Sequence, residues 1–356
     1  MATKSFDMAK RNKADEFYTQ WVDIEKEVQA YLEFNPDVFR DKTVLCPCDD
    51  PYESNFFKYF ALRFNDLGLK KLIATCYIGS PVSSSQLTLF NDEPDDDKTT
   101  RVPHKIEITG VEGYNKDSAN DLADVEWLLA NKKNVLTRLE GDGDFRSDEI
   151  KALRDEADFI ITNPPFSLFR EFMAWITEAQ KQFLVISNMN AITYKEIFPL
   201  IKDNRMWMGL AFGRSFQGFI VPKSYPLSGS EARIDEQGNR IVSTNNTIWL
   251  TNIDHGRRHQ PLQLMTMEKN LKFNKHKEIR GKGSYDKYDN YDAIEVPFTD
   301  AIPSDYDGVM GVPISFLHKY CPEQFEIIKF RKGNDDKDLS INGKCPYFRI
   351  LIKNKR

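Results

Sequence analysis

The chain has 356 residues, 40% hydrophobic and 12% aromatic with 25 phenylalanines, enough for a substantial core in one large and one smaller domain. The longest apolar runs, such as Phe183 to Ile186, are too short to cross a bilayer, and the polar stretch 1–13 lacks the apolar segment of a secretion signal. A cytoplasmic setting, with neither a membrane span nor a secretion signal, is expected. The net charge of −5 is uneven. Residues 1–199 hold 24 Lys and Arg against 35 Asp and Glu, whereas 200–356 hold 25 against 19, so a phosphate-facing surface is expected in the second half. Five cysteines (Cys46, Cys48, Cys76, Cys321, Cys345) form an odd set without a disulfide rhythm. Cys46 and Cys48 sit too close for the usual zinc knuckle, so reduced thiols and no metal are expected.

In chain order, Phe17, Trp21, Ile24 and Val28 recur at helical spacing and predict a helix over 15–32, ending before Pro36. Thr43-Val44-Leu45-Cys46 reads as a short buried strand. The next helix is expected to open on Asp50 as N-cap, Pro51 as first residue and Glu53 as capping-box partner. Phe56, Phe57, Phe60 and Phe64 give it an apolar face and Gly68 a stop. A strand over 71–77 completes a β-α-β unit, hence a parallel sheet. Residues 79–125, with three serines at 83–85 and the acidic run 92–97, read as a loop insertion holding one strand near 106–109. Alternation resumes with strands over 135–139, 158–162 and 183–187 and helices over 147–156, 167–180 and 193–202. Strands over 206–212 and 216–221 are expected to be joined by a turn at Gly213, and 247–251 adds one more core strand. This order builds a Rossmann-like, doubly wound α/β sheet whose ligands sit at the carboxyl ends of the strands. The chain then changes character, and a domain boundary is expected near 260.

Ile160-Ile161-Thr162-Asn163-Pro164-Pro165-Phe166 places Asn-Pro-Pro-Phe at the end of a hydrophobic strand, just before a helix. An exocyclic aromatic amine is a poor nucleophile, because its lone pair is delocalised into the ring. Two acceptors, the Asn163 side-chain oxygen and the Pro164 carbonyl, can make that nitrogen more tetrahedral and aim its lone pair at a methyl group. Pro164 and Pro165 fix the backbone and bring no competing N–H, while Phe166 offers a face on which a base can stack. A sulfonium is already a good leaving group, so positioning suffices and no metal or strong base is needed.

The chain resembles the EcoRI-type adenine-specific DNA methyltransferases, within the gamma class of amino-methyltransferases. The resemblance is carried by the segments 15–20, 55–60, 141–146, 162–170, 288–292, 308–313 and 341–356, and so covers nearly the whole chain outside 79–125. It implies an S-adenosylmethionine (SAM)-binding catalytic domain over 1–260 and a DNA target-recognition region over 261–356. It also implies N6-methylation of a flipped-out adenine in double-stranded DNA, with GAATTC the target if the likeness extends to the reading residues. Tyr18 and Thr19 match a segment closing over the cofactor's methionine part, and Asp144 and Phe145 match a pair at its adenine. Asn163, Pro164, Pro165 and Phe166 match the catalytic motif. Two departures stand out. The first strand leads into Cys46-Pro47-Cys48-Asp49-Asp50-Pro51 without the usual glycines, which assigns Pro47, Asp49 and Asp50 to the cofactor by position. The second ends Thr75-Cys76-Tyr77 in place of a ribose-binding acid.

Residues 255–290 carry the cations expected on DNA: Arg257, Arg258, Lys272, Lys275, Lys277, Arg280 and Lys282. His255 and His259 have metal-compatible spacing, but Arg257 and Arg258 between them would oppose a cation. Glu149 and Lys151 read as a solvated helix face. A monomer acting beside a separate cognate endonuclease is expected. RNA or protein-glutamine methylation, which use the same motif, and an inactive DNA-binding module are the alternatives.

Overall fold

The computed structural model describes residues 18–51, 54–76, 103–111, 134–221, 232–243 and 245–355. The readings made for 15–17, Glu53, Tyr77 and most of 79–125 lie outside them. Two units are delimited: residues up to Met189 with Gly209–Ile253, and Asn190–Met208 with Asp254 onward.

The first unit is built on β1 (Tyr18–Thr19), α1 (Trp21–Phe34), β2 (Thr43–Cys46), α2 (Asn55–Leu62), β3 (Lys71–Thr75), β4 (His104–Ile108) and β5 (Asn134–Arg138). It continues with α3 (Asp148–Glu156), β6 (Phe159–Thr162), α4 (Phe169–Glu178) and β7 (Gln182–Asn188). It is completed by β8 (Trp207–Phe212, from Gly209 on), β9 (Phe219–Val221), β10 (Ala232–Ile234), β11 (Arg240–Val242) and β12 (Thr247–Thr251), while α5 (Phe198–Lys202) belongs to the second unit. The main sheet runs β5-β4-β3-β2-β6-β7-β12-β8. Its centre, β3-β2-β6-β7, is parallel, as the βαβ alternation requires. β4 and β5 extend one side as antiparallel strands, and β12 runs antiparallel to β7. The fold is thus the expected α/β class with a mixed sheet. The 79–125 segment contributes β4, a strand interior to that sheet. β2, β6 and β12 are buried along their whole length. The core between sheet and helices is largely aromatic, with Phe39 against Phe60 at 5.5 Å and Phe56 against Trp249 at 5.8 Å.

Two expectations change. The first helix begins at Trp21, not before Tyr18, because Tyr18 and Thr19 pair antiparallel with Ile220 and Phe219. The strands around Gly213 do not form a hairpin: β8 edges the main sheet, while β9 joins a small sheet β1-β9-β11-β10. Two buried acids of α1 explain the split. Glu27 accepts from the amides of Leu210 (2.8 Å) and Ala211 (3.0 Å), and Asp23 accepts from that of Gln217 (3.0 Å). Carboxylates thereby take the donors that a hairpin ladder would have satisfied. Gly209 permits this approach, since a Cβ there would lie 2.0 Å from Glu27 Oε1.

The second unit carries α6 (Met267–Phe273) and a sheet β13-β14-β16-β15 of Ala293–Glu295, Val309–Pro313, Arg349–Asn354 and Phe325–Phe330. Its buried ion pair joins Arg349 to Glu295 at 2.6 Å, and the Tyr288 hydroxyl donates to the same carboxylate. No helix among the described residues is long and apolar enough to cross a membrane.

Candidate active site

β2 has β3 on one side and β6 on the other, both parallel, so the topological switch lies between β2 and β6 and opens at their carboxyl ends. β2 delivers Pro47 to Asp50 to that point, and β6 delivers Asn163 to Phe166. A short bridge joins the two loops. Thr162, the last residue of β6, donates its hydroxyl to Asp49 at 2.5 Å, and Ser54 donates to the other Asp49 oxygen at 2.5 Å. Ser54 also caps α2, accepting from the amides of Phe56 and Phe57. At the end of β3, Thr75 donates to the Pro47 carbonyl at 2.9 Å, and the Asp49 amide donates back to Thr75 at 3.2 Å.

The cap expected at Asp50 is therefore Ser54, because the helix starts only at Asn55; the Asp50 carbonyl accepts from the Ser54 amide at 2.8 Å. Ser54→Ala should lower the urea midpoint at unchanged m-value, by an amount equivalent to about 1 kcal/mol of stability for the cap alone. An unaltered midpoint would mean that the cap contributes nothing.

Burial is the largest influence on Asp49 and raises its carboxyl to about 7, against the hydrogen bonds from Ser54 and Thr162; Asp50 pushes it further up. Burial likewise pushes up the Cys48 thiol, with Asp49 and Asp144 adding to it. Asp144 thus lies within electrostatic reach of the loop after β2. Its carboxylate is gripped by Arg146 at 2.6 and 2.9 Å, which holds it below the usual carboxylate range. Phe145 is buried, with its ring 5.1 Å from Phe172 and 5.7 Å from Trp175 on α4.

In the Asn-Pro-Pro-Phe segment, Pro164 is buried and Asn163, Pro165 and Phe166 are half-buried. A single 3₁₀ turn, Phe166–Leu168, precedes α4, with the Leu168 amide donating to the Pro165 carbonyl at 3.0 Å. The helix expected over 167–180 therefore starts at Phe169. The Phe166 ring meets Phe219 of β9 edge-on at 6.4 Å, and Phe219 pairs with Thr19 of β1. The Thr19 carbonyl accepts from the Asn55 side chain at 2.8 Å, next to Ser54. The contacts close a ring: Thr19, Asn55, Ser54, Asp49, Thr162, Asn163, Phe166, Phe219 and back to Thr19. Sequence reasoning missed Ser54, Asn55, Thr75, Thr162 and Phe219. A serine before Asn-Phe-Phe is a readable cap, and Thr162 adjoins the motif, but nothing local marks Phe219, whose role comes from strand pairing.

The basic stretch divides. Arg258 is buried, paired with Asp254 at 3.0 Å, hydrogen-bonded to Asn204 and laid over the Trp207 ring at 3.7 Å. It is built into the fold rather than presented to a phosphate. Arg257 meets His318 at 2.6 Å. Lys272, Lys275 and Lys282 form exposed pairs with Glu268, Asp300 and Asp286, each at 2.6 Å. Lys277 and Arg280 are exposed. His255 is buried and donates to the Met208 carbonyl at 3.1 Å, while His259 lies between Asp254 and Glu323. Glu149 accepts from the amides of Glu140 and Gly141.

A doubly wound sheet whose switch point joins a buried carboxylate to an Asn-Pro-Pro-aromatic loop is the arrangement expected of a methyltransferase acting on an amino group. Residues 5–355 match the family described as adenine-specific methyltransferase EcoRI. The chain is 51% identical over 352 residues to the type II methyltransferase M.EcoRI of Escherichia coli, covering 98% of this chain and 95% of that protein. It is 31% identical over 369 residues to the type II methyltransferase M.MpnI of Mycoplasma pneumoniae, covering 99% and 98%. No solved structure matches. The chain belongs to the EcoRI family of adenine-specific methyltransferases, and it is a DNA methyltransferase of the restriction-modification kind.

Proposed function

We propose that the enzyme transfers a methyl group from SAM to the N6 amine of an adenine turned out of duplex DNA at a specific sequence. The observation that carries this reading is the Thr162–Asp49 bridge at the switch point, which ties the loop after β2 to the residue before Asn163. The donor chemistry fits SAM: a buried carboxylate suits a ligand bearing sulfonium and ammonium charges, and the Asp144 carboxylate lies in reach of the same loop. Asp49 and Asp144, with Tyr18, Thr19, Pro47 and Asp50 around them, would hold the cofactor. When bound, SAM supplies a methyl group on a good leaving group.

The rest is positioning by this chain. The Asn163 side-chain oxygen and the Pro164 carbonyl accept from the adenine amine and hold its lone pair in line, and Phe166, braced edge-on by Phe219, offers the stacking face. The type II designation of the relatives supports a separate cognate endonuclease. The same reading includes monomeric action in the cytoplasm, and GAATTC is the first site to test.

The test is transfer of labelled methyl to duplexes with and without GAATTC, followed by nucleoside analysis. N6-methyladenine supports the reading, and equal labelling of scrambled duplexes removes GAATTC. Label on RNA or on glutamine amides instead would replace the substrate, and a chain that binds DNA without SAM would be an inactive module.

A pH dependence follows from Asp49. Below about 7 its carboxyl is protonated and loses its attraction for a cation, so SAM affinity should fall as pH drops through that value. Calorimetry should show this slope in the native chain and a flatter one in Asp49→Asn. Identical slopes would remove Asp49 from the cofactor site.

A further inference from the structure

Four large apolar side chains are exposed among the described residues: Phe34, Ile234, Phe273 and Tyr347. Phe273, 71% exposed, is the one set within a run of cations. Residues 269–282 hold six Lys and Arg, at 269, 272, 275, 277, 280 and 282, against the single acid Glu278.

The base beneath this side chain is rigid. Thr266 caps α6 through the Lys269 amide. Just beyond Phe273, Asn274 is buried, donating its side-chain amide to buried Asn270 at 2.7 Å and accepting from the His276 amide at 2.9 Å. His276 stacks on Phe298 with ring centroids 3.6 Å apart and bonds Asp300 at 2.9 Å, and the Gly281 amide returns to the Leu271 carbonyl at 2.8 Å. A chain that buries two asparagines to fix this turn presents a phenylalanine to solvent from its last helical position. Burial energy does not explain that placement, because an exposed ring gains none. Among the described residues Lys272 and Lys275 pair with the solvent-accessible carboxylates of Glu268 and Asp300, pairings weak enough for DNA phosphates to displace.

We propose that Phe273 is a DNA-contacting side chain that stacks on a base or enters a base step of the bound duplex, while Lys277, Arg280 and their neighbours hold the flanking phosphates. This rests on the chain's action on DNA. The ring's π-face suits any base, so the contact adds affinity and deforms the duplex without reading sequence. The two contact types separate by salt. A stacking contact releases no counterions, whereas each lost phosphate contact lowers the slope of log affinity against log salt by about 1.

The experiment measures affinity for a GAATTC duplex across salt concentrations for the native chain, Phe273→Ala, Phe273→Trp and Arg280→Ala. Phe273→Ala should bind about 10-fold more weakly at every salt concentration, with an unchanged slope and melting temperature, and Phe273→Trp should recover the affinity. Arg280→Ala should lower the slope. Native affinity in Phe273→Ala overturns the proposal, as does weakening with a reduced slope or weakening that Trp fails to restore. A native chain that neither binds nor methylates DNA would instead overturn the underlying function.

Discussion

Asn163→Ala should lower kcat for methyl transfer by about 10²–10³-fold while leaving SAM affinity and the melting temperature near native. The asymmetry comes from what the side chain does. Asn163 is half-buried at the mouth of the switch point, whereas the contacts that fix its loop belong to neighbours: the Thr162–Asp49 bridge, the Leu168–Pro165 turn and the Phe166–Phe219 contact. Truncation leaves those in place and removes one of two acceptors that act on the amine as it becomes nucleophilic. The loss should therefore fall in kcat, with KM for DNA little changed. Single-turnover rates with calorimetry on the same preparation separate these quantities. Native turnover in Asn163→Ala would reduce the Asn-Pro-Pro segment to an ordinary turn.

Arg258→Ala should act in the opposite way, through the fold. The guanidinium is 7% exposed, pairs with Asp254, bonds Asn204 and covers Trp207 at 3.7 Å. Removal of an enclosed charge from such a cluster costs several kcal/mol; because Asp254 is 42% exposed and can be rehydrated, roughly 3 kcal/mol is expected here. That corresponds to a melting temperature lower by roughly 5–10 °C. The fraction that remains folded should keep the native salt slope for DNA. A reduced slope at unchanged melting temperature would return Arg258 to the phosphate surface.

The contrast between Arg258 and Arg280 marks the limit of reading cations from a sequence. Both stand in a basic stretch, yet one is enclosed by Asp254, Asn204 and Trp207 while the other is exposed. Composition gives the charge balance of a segment but not which member turns inward, since inward charges depend on partners such as Asn204, 54 residues away.

The loop after β2 behaves in the same way. The sequence lacks the glycine-rich loop and leaves Asp49 and Asp50 as equivalent candidates. In the fold Asp49 is buried between Ser54 and Thr162, and the Asp50 carbonyl accepts from the Ser54 amide.

What the sequence determined alone was whatever depends on short-range periodicity and local chemistry. The strands at 43–46 and 247–251, the βαβ alternation and the Asn-Pro-Pro-Phe loop after a buried strand all rest on side chains within a few residues of one another. The tertiary structure decided whatever depends on hydrogen-bond partners far along the chain. Asp23 and Glu27 separate β8 from β9 by taking amides more than 180 residues away. Phe219 reaches Phe166 only through strand pairing, and Thr162 meets Asp49 across 113 residues. A buried polar group must find a partner, but local sequence does not say where along the chain that partner lies.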